Sequence, residues 1–225
     1  MKIFEHVSLE SLNFDLLSET TESGRIYVTP EGHKYTSVTT ILSELNKQAI
    51  LKWRQRVGEK EANKISRISK NRGTNYHAIM VKYLCNELTE VEISRLFPET
   101  KQMFMRMRKI FDENISDICC IEQALYSDEL KIAGRVDLVA KYNGILSIID
   151  HKTSNREKKH SWIRSYFYQT ALYAKMFKER TGYFPEQIVI AIVIPEKQPQ
   201  ICARNTMDYL PQAEDFVMNY HIEHE

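Results

Sequence analysis

The run GRVDLVAKYNGILSIIDHKT, residues 134–153, is mostly apolar and strand-like, yet it carries Asp137, Asp150 and Lys152. Asn143-Gly144 in its middle is a strong hairpin signal, because both turn positions of a type I′ loop need positive φ. With those two residues as the loop, Tyr142 faces Ile145, Val139 faces Ile148, and Asp137 falls directly opposite Asp150. Opposed side chains have Cβ atoms about 4.5–5.5 Å apart on one face of a sheet, so two carboxylates there repel unless positive charge lies between them. Lys152, two residues beyond Asp150, is on the same face by the pleat. Two acids with a neighbouring amine match an oxygen-ligand site for a divalent cation, Mg2+ being the natural guess, of the kind that serves phosphodiester chemistry. The alternative is an edge hairpin whose Asp and Lys side chains are simply solvated.

The elements that must position these residues follow from the pattern around them. Residues 118–126, 130–141 and 145–153 are rich in Ile, Val and Leu between turn residues and predict three consecutive strands. A helix over 162–181 stops at Gly182, and 187–194 (QIVIAIVI) is apolar throughout, as a central strand buried on both faces would be. A short strand at 200–204 and a helix from about 208 complete the second half. The first half, after a short polar leader, predicts a hairpin over 25–35 with its turn at Pro30 to Gly32. Then come a short Ser/Thr-capped helix at 37–46, a helix over 49–70, a break at Arg72-Gly73-Thr74, and helices over 74–88 and 99–111. The expected fold is therefore mixed α/β: a central sheet of about five strands flanked by helices, with a helical N-terminal region (1–112) over the cleft of a sheet core (113–225), all one domain.

Composition narrows the classes. The 225 residues can bury one substantial core, and the formal net charge of only +1 requires any polyanion-binding surface to come from local segregation of charge. Cys85, Cys119, Cys120 and Cys202 form no C-x-x-C pattern and read as buried reduced thiols. No 18-residue apolar span or signal sequence is present, so a cytoplasmic protein without a membrane partner is expected.

The charged hairpin, together with three further motifs, resembles the PD-(D/E)XK nuclease superfamily, and within it the RecB-like exonuclease branch, closest to phage and mitochondrial genome maintenance exonucleases. The signature here is Gly134-Arg135-Val136-Asp137 followed by Asp150-His151-Lys152-Thr153, with Val136 where the family often has proline. Glu122 lies on the preceding strand, Gln169 and Tyr173 match a Q-x-x-x-Y motif on the following helix, and RGTNYH (72–77) resembles a helical G-T-x-x-H motif. The resemblance implies a restriction-endonuclease-like fold and metal-assisted hydrolysis of DNA, preferring single strands or flaps, in replication, recombination or repair. Asp137, Asp150 and the main-chain carbonyl of His151 would hold Mg2+ or Mn2+, and Lys152 would orient or help deprotonate the attacking water. Glu122 would act as helper acid, Gln169 and Tyr173 would contact the lysine neighbourhood or the substrate, and His77 would add a nitrogen ligand that favours Mn2+. The cysteines of iron–sulfur relatives are absent, so no cluster is expected.

Basic residues crowd two segments: Lys47 to Arg72, including Lys70, and the run after the D-x-K strand, including Arg156 and Lys158. Beside a phosphodiester site these residues, with Thr74 and Thr153, make a track for a DNA backbone, while Trp53 and Tyr76 are candidates to stack on unpaired bases. Two rivals remain: a structure-specific endonuclease of the same superfamily, and a DNA-binding protein that kept the fold and lost catalysis.

Overall fold

Eight strands, rather than five, build the central sheet of the computed structural model, in which residues 1–224 are described. They are β1 (Leu17–Thr21), β2 (Gly24–Val28), β3 (Lys34–Ser37), β4 (Ile115–Ser127), β5 (Ile132–Tyr142), β6 (Ile145–Thr153), β7 (Gln187–Val193) and β8 (Gln200–Asn205). The order is β1-β2-β3-β5-β6-β7-β8, with β4 paired to β5, and the sheet is mixed: β3–β5 and β6–β7 run parallel, the other pairs antiparallel. The N-terminal part thus contributes a three-stranded meander as well as helices. The β2–β3 hairpin matches the sequence pattern, but β1 (LSETT) is largely exposed and has no apolar alternation to betray it.

Helices α1 (Val38–Val57), α2 (Glu59–Leu84), α3 (Glu90–Arg95), α4 (Pro98–Asn114), α5 (Arg164–Thr181) and α6 (Leu210–His224) cover both faces. The parity of β7 shows why its sequence is apolar throughout. Ile188, Ile190 and Ile192 join Val139 and Ile148 in the core shared with α1, α5 and α6, whereas Val189 and Ala191 join Leu138 and Ile149 in the core shared with α2 and α4.

The helical break falls at Gly58, not at residues 72–74. Gly58 has φ +83°, a conformation costly for any residue with a Cβ, and it separates α1 from α2. Gly73 instead sits inside a continuous α2. Its cost of about 1 kcal/mol is overridden by the packing of Tyr76, Met80 and Tyr83 against Phe104, Met107 and Phe111 of α4. Ser37 does cap α1, accepting a hydrogen bond from the Thr39 N–H. The short α3, absent from the sequence expectation, carries a capping box between Thr89 and Glu92 that its T-x-x-E spacing could have revealed. The four cysteines are half-buried rather than buried.

One detail of the sheet creates the site. β4 lines one edge of β5 over nearly its whole length, and Ile132 pairs with Ser127 of β4 on that side and with Thr36 of β3 on the other. β3 and β6 therefore share the second edge of β5. β3 takes Ile132 and Ala133, β6 takes Leu138 to Tyr142, and residues 134–137 between them are left without a strand partner there. Asp137 lies in that gap.

Candidate active site

The β5–β6 register is the one counted from the Asn143-Gly144 loop. Tyr142 pairs with Ile145 and Leu138 with Ile149, and both turn residues have positive φ, +52° and +80°. One step further, at the Asp137/Asp150 position, the ladder opens. The Asp137 carboxylate replaces the missing strand partner, with Oδ2 accepting the His151 N–H at 2.7 Å.

Asp150 is buried, and the Lys152 ammonium lies 2.6 and 2.5 Å from its two oxygens, hydrogen-bonded to Oδ1. Oδ2 of Asp150 is buried, and the Lys152 ammonium is its charged neighbour. Burial alone would lower the Lys152 pKa, but the carboxylates of Asp150 and Asp137 outweigh it and hold the amine above its ordinary value, as an ammonium. The face of the Tyr166 ring, in the first turn of α5, lies 5.1 Å from that ammonium.

From the other side α2 brings His77. Its Nε2 donates to the His151 carbonyl at 2.9 Å, which turns Nδ1 toward Glu122 Oε1 at 3.7 Å and Asp137 Oδ2 at 3.8 Å. The register of β4 on β5 places Glu122 opposite Asp137, between the pairs Ile121–Leu138 and Gln123–Val136. Glu122 has φ +49°, a local twist held by Arg135, whose guanidinium donates to the Glu122 carbonyl and to Asp15. The His151 ring points to the opposite side, packed on Phe111 and edge-on to Tyr76, and burial holds its pKa well below the usual imidazole value.

Helix α5 closes the floor of the gap. Tyr173 is buried and accepts a hydrogen bond from Gln169 Nε2 at 3.3 Å. It packs on Gly134 so closely that a Cβ there would meet the ring at 2.7 Å, which explains the glycine. Asp137, Asp150, Lys152, Glu122 and His77 are thus brought together, with Gln169 and Tyr173 beneath. Sequence reasoning missed Tyr166 and Arg135. Tyr166 was visible in principle: it stands three residues before Gln169 and seven before Tyr173, on the same helical stripe.

The basic segments also converge. Arg72 of α2 donates to Asn155, just after β6, and is only 11% exposed on its side chain. Lys70, Thr74 and Arg156 are exposed, and Thr153 and Lys158 half-exposed. Trp53 is half-buried, but Tyr76 is fully buried and cannot stack on a base.

The residues present fit a divalent cation. Ligand atoms of His77, Glu122 and Asp137 lie within 4.8 Å of one another. Three carboxylates face one ammonium and one imidazole, an excess of negative charge that, after burial, pushes the Asp137 carboxyl up to about 7. Carboxylate oxygens with a single imidazole suit a hard ion such as Mg2+ or Mn2+.

Residues 45–219 match the family model of the PD-(D/E)XK nuclease superfamily. The chain belongs to that superfamily. The superfamily is one of nucleases, a family that uses divalent metals. Among solved structures, the chain is similar to a "Putative exonuclease" from Eubacterium rectale. Identity there is 16% and the TM-score 0.46, over 65% of this chain and 63% of that one. It is also similar to SSO0001, with 15% identity and a TM-score of 0.35, over 76% and 70% of the two chains. No curated protein sequence matches the chain. No helix among its described residues is long and apolar enough to cross a membrane.

Proposed function

We propose that this protein is a divalent-metal-dependent DNA exonuclease that prefers single strands or flaps and serves replication, recombination or repair. The observation that carries the reading is the opened β5–β6 ladder, which gathers Asp137, Asp150 and Lys152 at one point with His77 and Glu122 on its rim. Asp137, Asp150, the His151 carbonyl and Nδ1 of His77 would hold Mg2+ or Mn2+, with Glu122 binding directly or through water. The His151 carbonyl has a second lone pair beside the one that His77 uses. A divalent ion there supplies Lewis-acid polarisation of the scissile phosphate and a lowered pKa for bound water.

The protein's own groups do the rest. Lys152, held as an ammonium by its acids, steadies charge developing on the phosphoryl oxygens and orients the attacking water. Its raised pKa favours these roles over proton abstraction, which falls to Glu122. Gln169 occupies a lone pair of the Tyr173 oxygen, so the phenol hydrogen is left to donate within the site. Lys70, Arg72 and Thr74 on one side and Thr153, Arg156 and Lys158 on the other hold backbone phosphates. The Arg72–Asn155 hydrogen bond ties these two walls together, and a slot bounded in that way suits one strand better than a duplex.

The test is incubation with end-labelled linear and circular single-stranded DNA in Mg2+, Mn2+ or EDTA. Metal-dependent loss of the linear strand with the circle intact is expected. Cutting of the circle would make the protein an endonuclease, and binding without cutting in any metal would make it a DNA-binding relative.

A further inference from the structure

The segment joining β6 to α5, residues 154–163, carries an exposed indole that the reaction just proposed does not use. Trp162, at the end of a short 3-10 turn (His160–Trp162), is 47% exposed, a large area for an indole. The Arg156 guanidinium lies 5.1 Å and the Lys159 ammonium 5.5 Å from its ring. Neither cation, nor Lys158 or Arg164, has a carboxylate within ion-pair distance among the described residues. The one acid in the segment, Glu157, is drawn away to Lys197 at 3.3 Å. Burial, and after it the neighbouring Arg156, lower the pKa of Lys158. An open aromatic surface with cations drawn against it calls for a ligand that is both flat and anionic.

The location narrows the ligand further. The segment starts directly after Lys152 and Thr153, and Trp162 stands four residues before Tyr166, whose ring contacts the Lys152 ammonium. We propose that Trp162, with Arg156 and Lys159, is a stacking platform for one unpaired base of the substrate strand next to the scissile phosphate. The two cations take the phosphates that flank that base. This assignment rests on the nuclease reading and adds to it a source of single-strand preference, because a base inside a duplex has no free face to offer.

The chain has two tryptophans, so Trp53→Phe leaves Trp162 as the sole indole reporter. The full-length protein in EDTA is titrated with oligothymidylate of about 12 nucleotides, with an abasic strand of equal length, and with a blunt duplex. Oligothymidylate is expected to quench the fluorescence of Trp53→Phe. Trp162→Ala is expected to weaken its binding by about 5- to 150-fold, Trp162→Phe to retain most of the affinity, and duplex binding to stay unchanged. In wild type the abasic strand is expected to bind more weakly than the intact one. Unquenched fluorescence at saturation, equal affinity of Trp162→Ala for oligothymidylate, or a parallel loss on the duplex would overturn the platform. A wild-type protein that binds and cuts DNA alongside an unaffected Trp162→Ala defeats this inference alone, whereas a wild type that binds no DNA defeats the nuclease reading with it.

Discussion

Burial and the neighbouring Asp150 push the Asp137 carboxyl up to about 7 from 3.8. Near pH 4 the group begins to ionise in the unfolded chain while the folded chain keeps its proton, so its contribution to stability falls as pH rises and is lowest above 7. His77 acts in the same direction. Burial lowers its pKa, but Glu122, Asp137 and Asp150 together raise it, and the stability gained from its charged form is lost as pH climbs through that raised value. A cation needs both groups deprotonated, so its binding strengthens over the range in which the cation-free protein weakens. The thermal shift produced by Mn2+ should therefore grow between about pH 5.5 and 8; a shift that is flat or shrinking would refute this coupling. Asp137→Asn removes the disfavoured charge and can keep the bond from His151. In EDTA above pH 7 its Tm should rise by about 2–4 °C per kcal/mol relieved, while Mn2+ should no longer stabilise it. Of these residues, Asp137, Asp150 and Lys152 were legible from turn chemistry and the pleat. Glu122 and His77 were not, because no counted turn connects β4 to β5 in register and a lone helical histidine has many uses; only the resemblance pointed to them.

At the scale of elements, the two hairpin glycines test different parts of the design. Gly134 is pressed on Tyr173, so Gly134→Ala overpacks the floor of the site at a cost of about 1–3 kcal/mol, and both Tm and cleavage should fall. Gly144 has φ +80° with open space around it, at the end of the hairpin away from the gap. Gly144→Ala should cost about 1–2 kcal/mol in stability and leave cleavage unchanged in a rate assay at a temperature where the variant is folded. Equal loss of activity in both would show that the site depends on overall stability and not on the Gly134–Tyr173 contact. The Asn-Gly turn made this hairpin readable in advance, as hydrophobic parity did for β7. The failures have equally physical causes. β1 is an exposed edge strand without alternation, Gly58 declares itself only through a positive φ, and Gly73 persists inside α2 because contacts distant in sequence, on α4, override its local preference.

For the whole molecule, a net charge of +1 hides a divided surface. Cations of α2 and of the segment after β6 meet where Arg72 reaches Asn155, beside the opened ladder. Binding of single-stranded DNA in EDTA should weaken as salt rises, with a slope of log K against log salt of about −0.7 per phosphate neutralised. Arg156→Ala should reduce that slope by about one such step, and an unchanged slope would remove Arg156 from the track. The sheet's charged gap was legible because two aspartates in an apolar hairpin demand a partner; the division of surface charge was legible only as two basic runs, whose meeting point depends on how the chain folds. The central claim is that the gap holding Asp137, Asp150 and Lys152 hydrolyses DNA with a divalent ion. Its most direct measurement compares wild type and Lys152→Ala for cleavage of an end-labelled single strand in Mn2+, with binding of the same strand recorded in EDTA. The account predicts similar binding and a loss of cleavage of about 100-fold or more; a variant that cuts as fast as wild type, or wild-type cutting that survives EDTA, would contradict it.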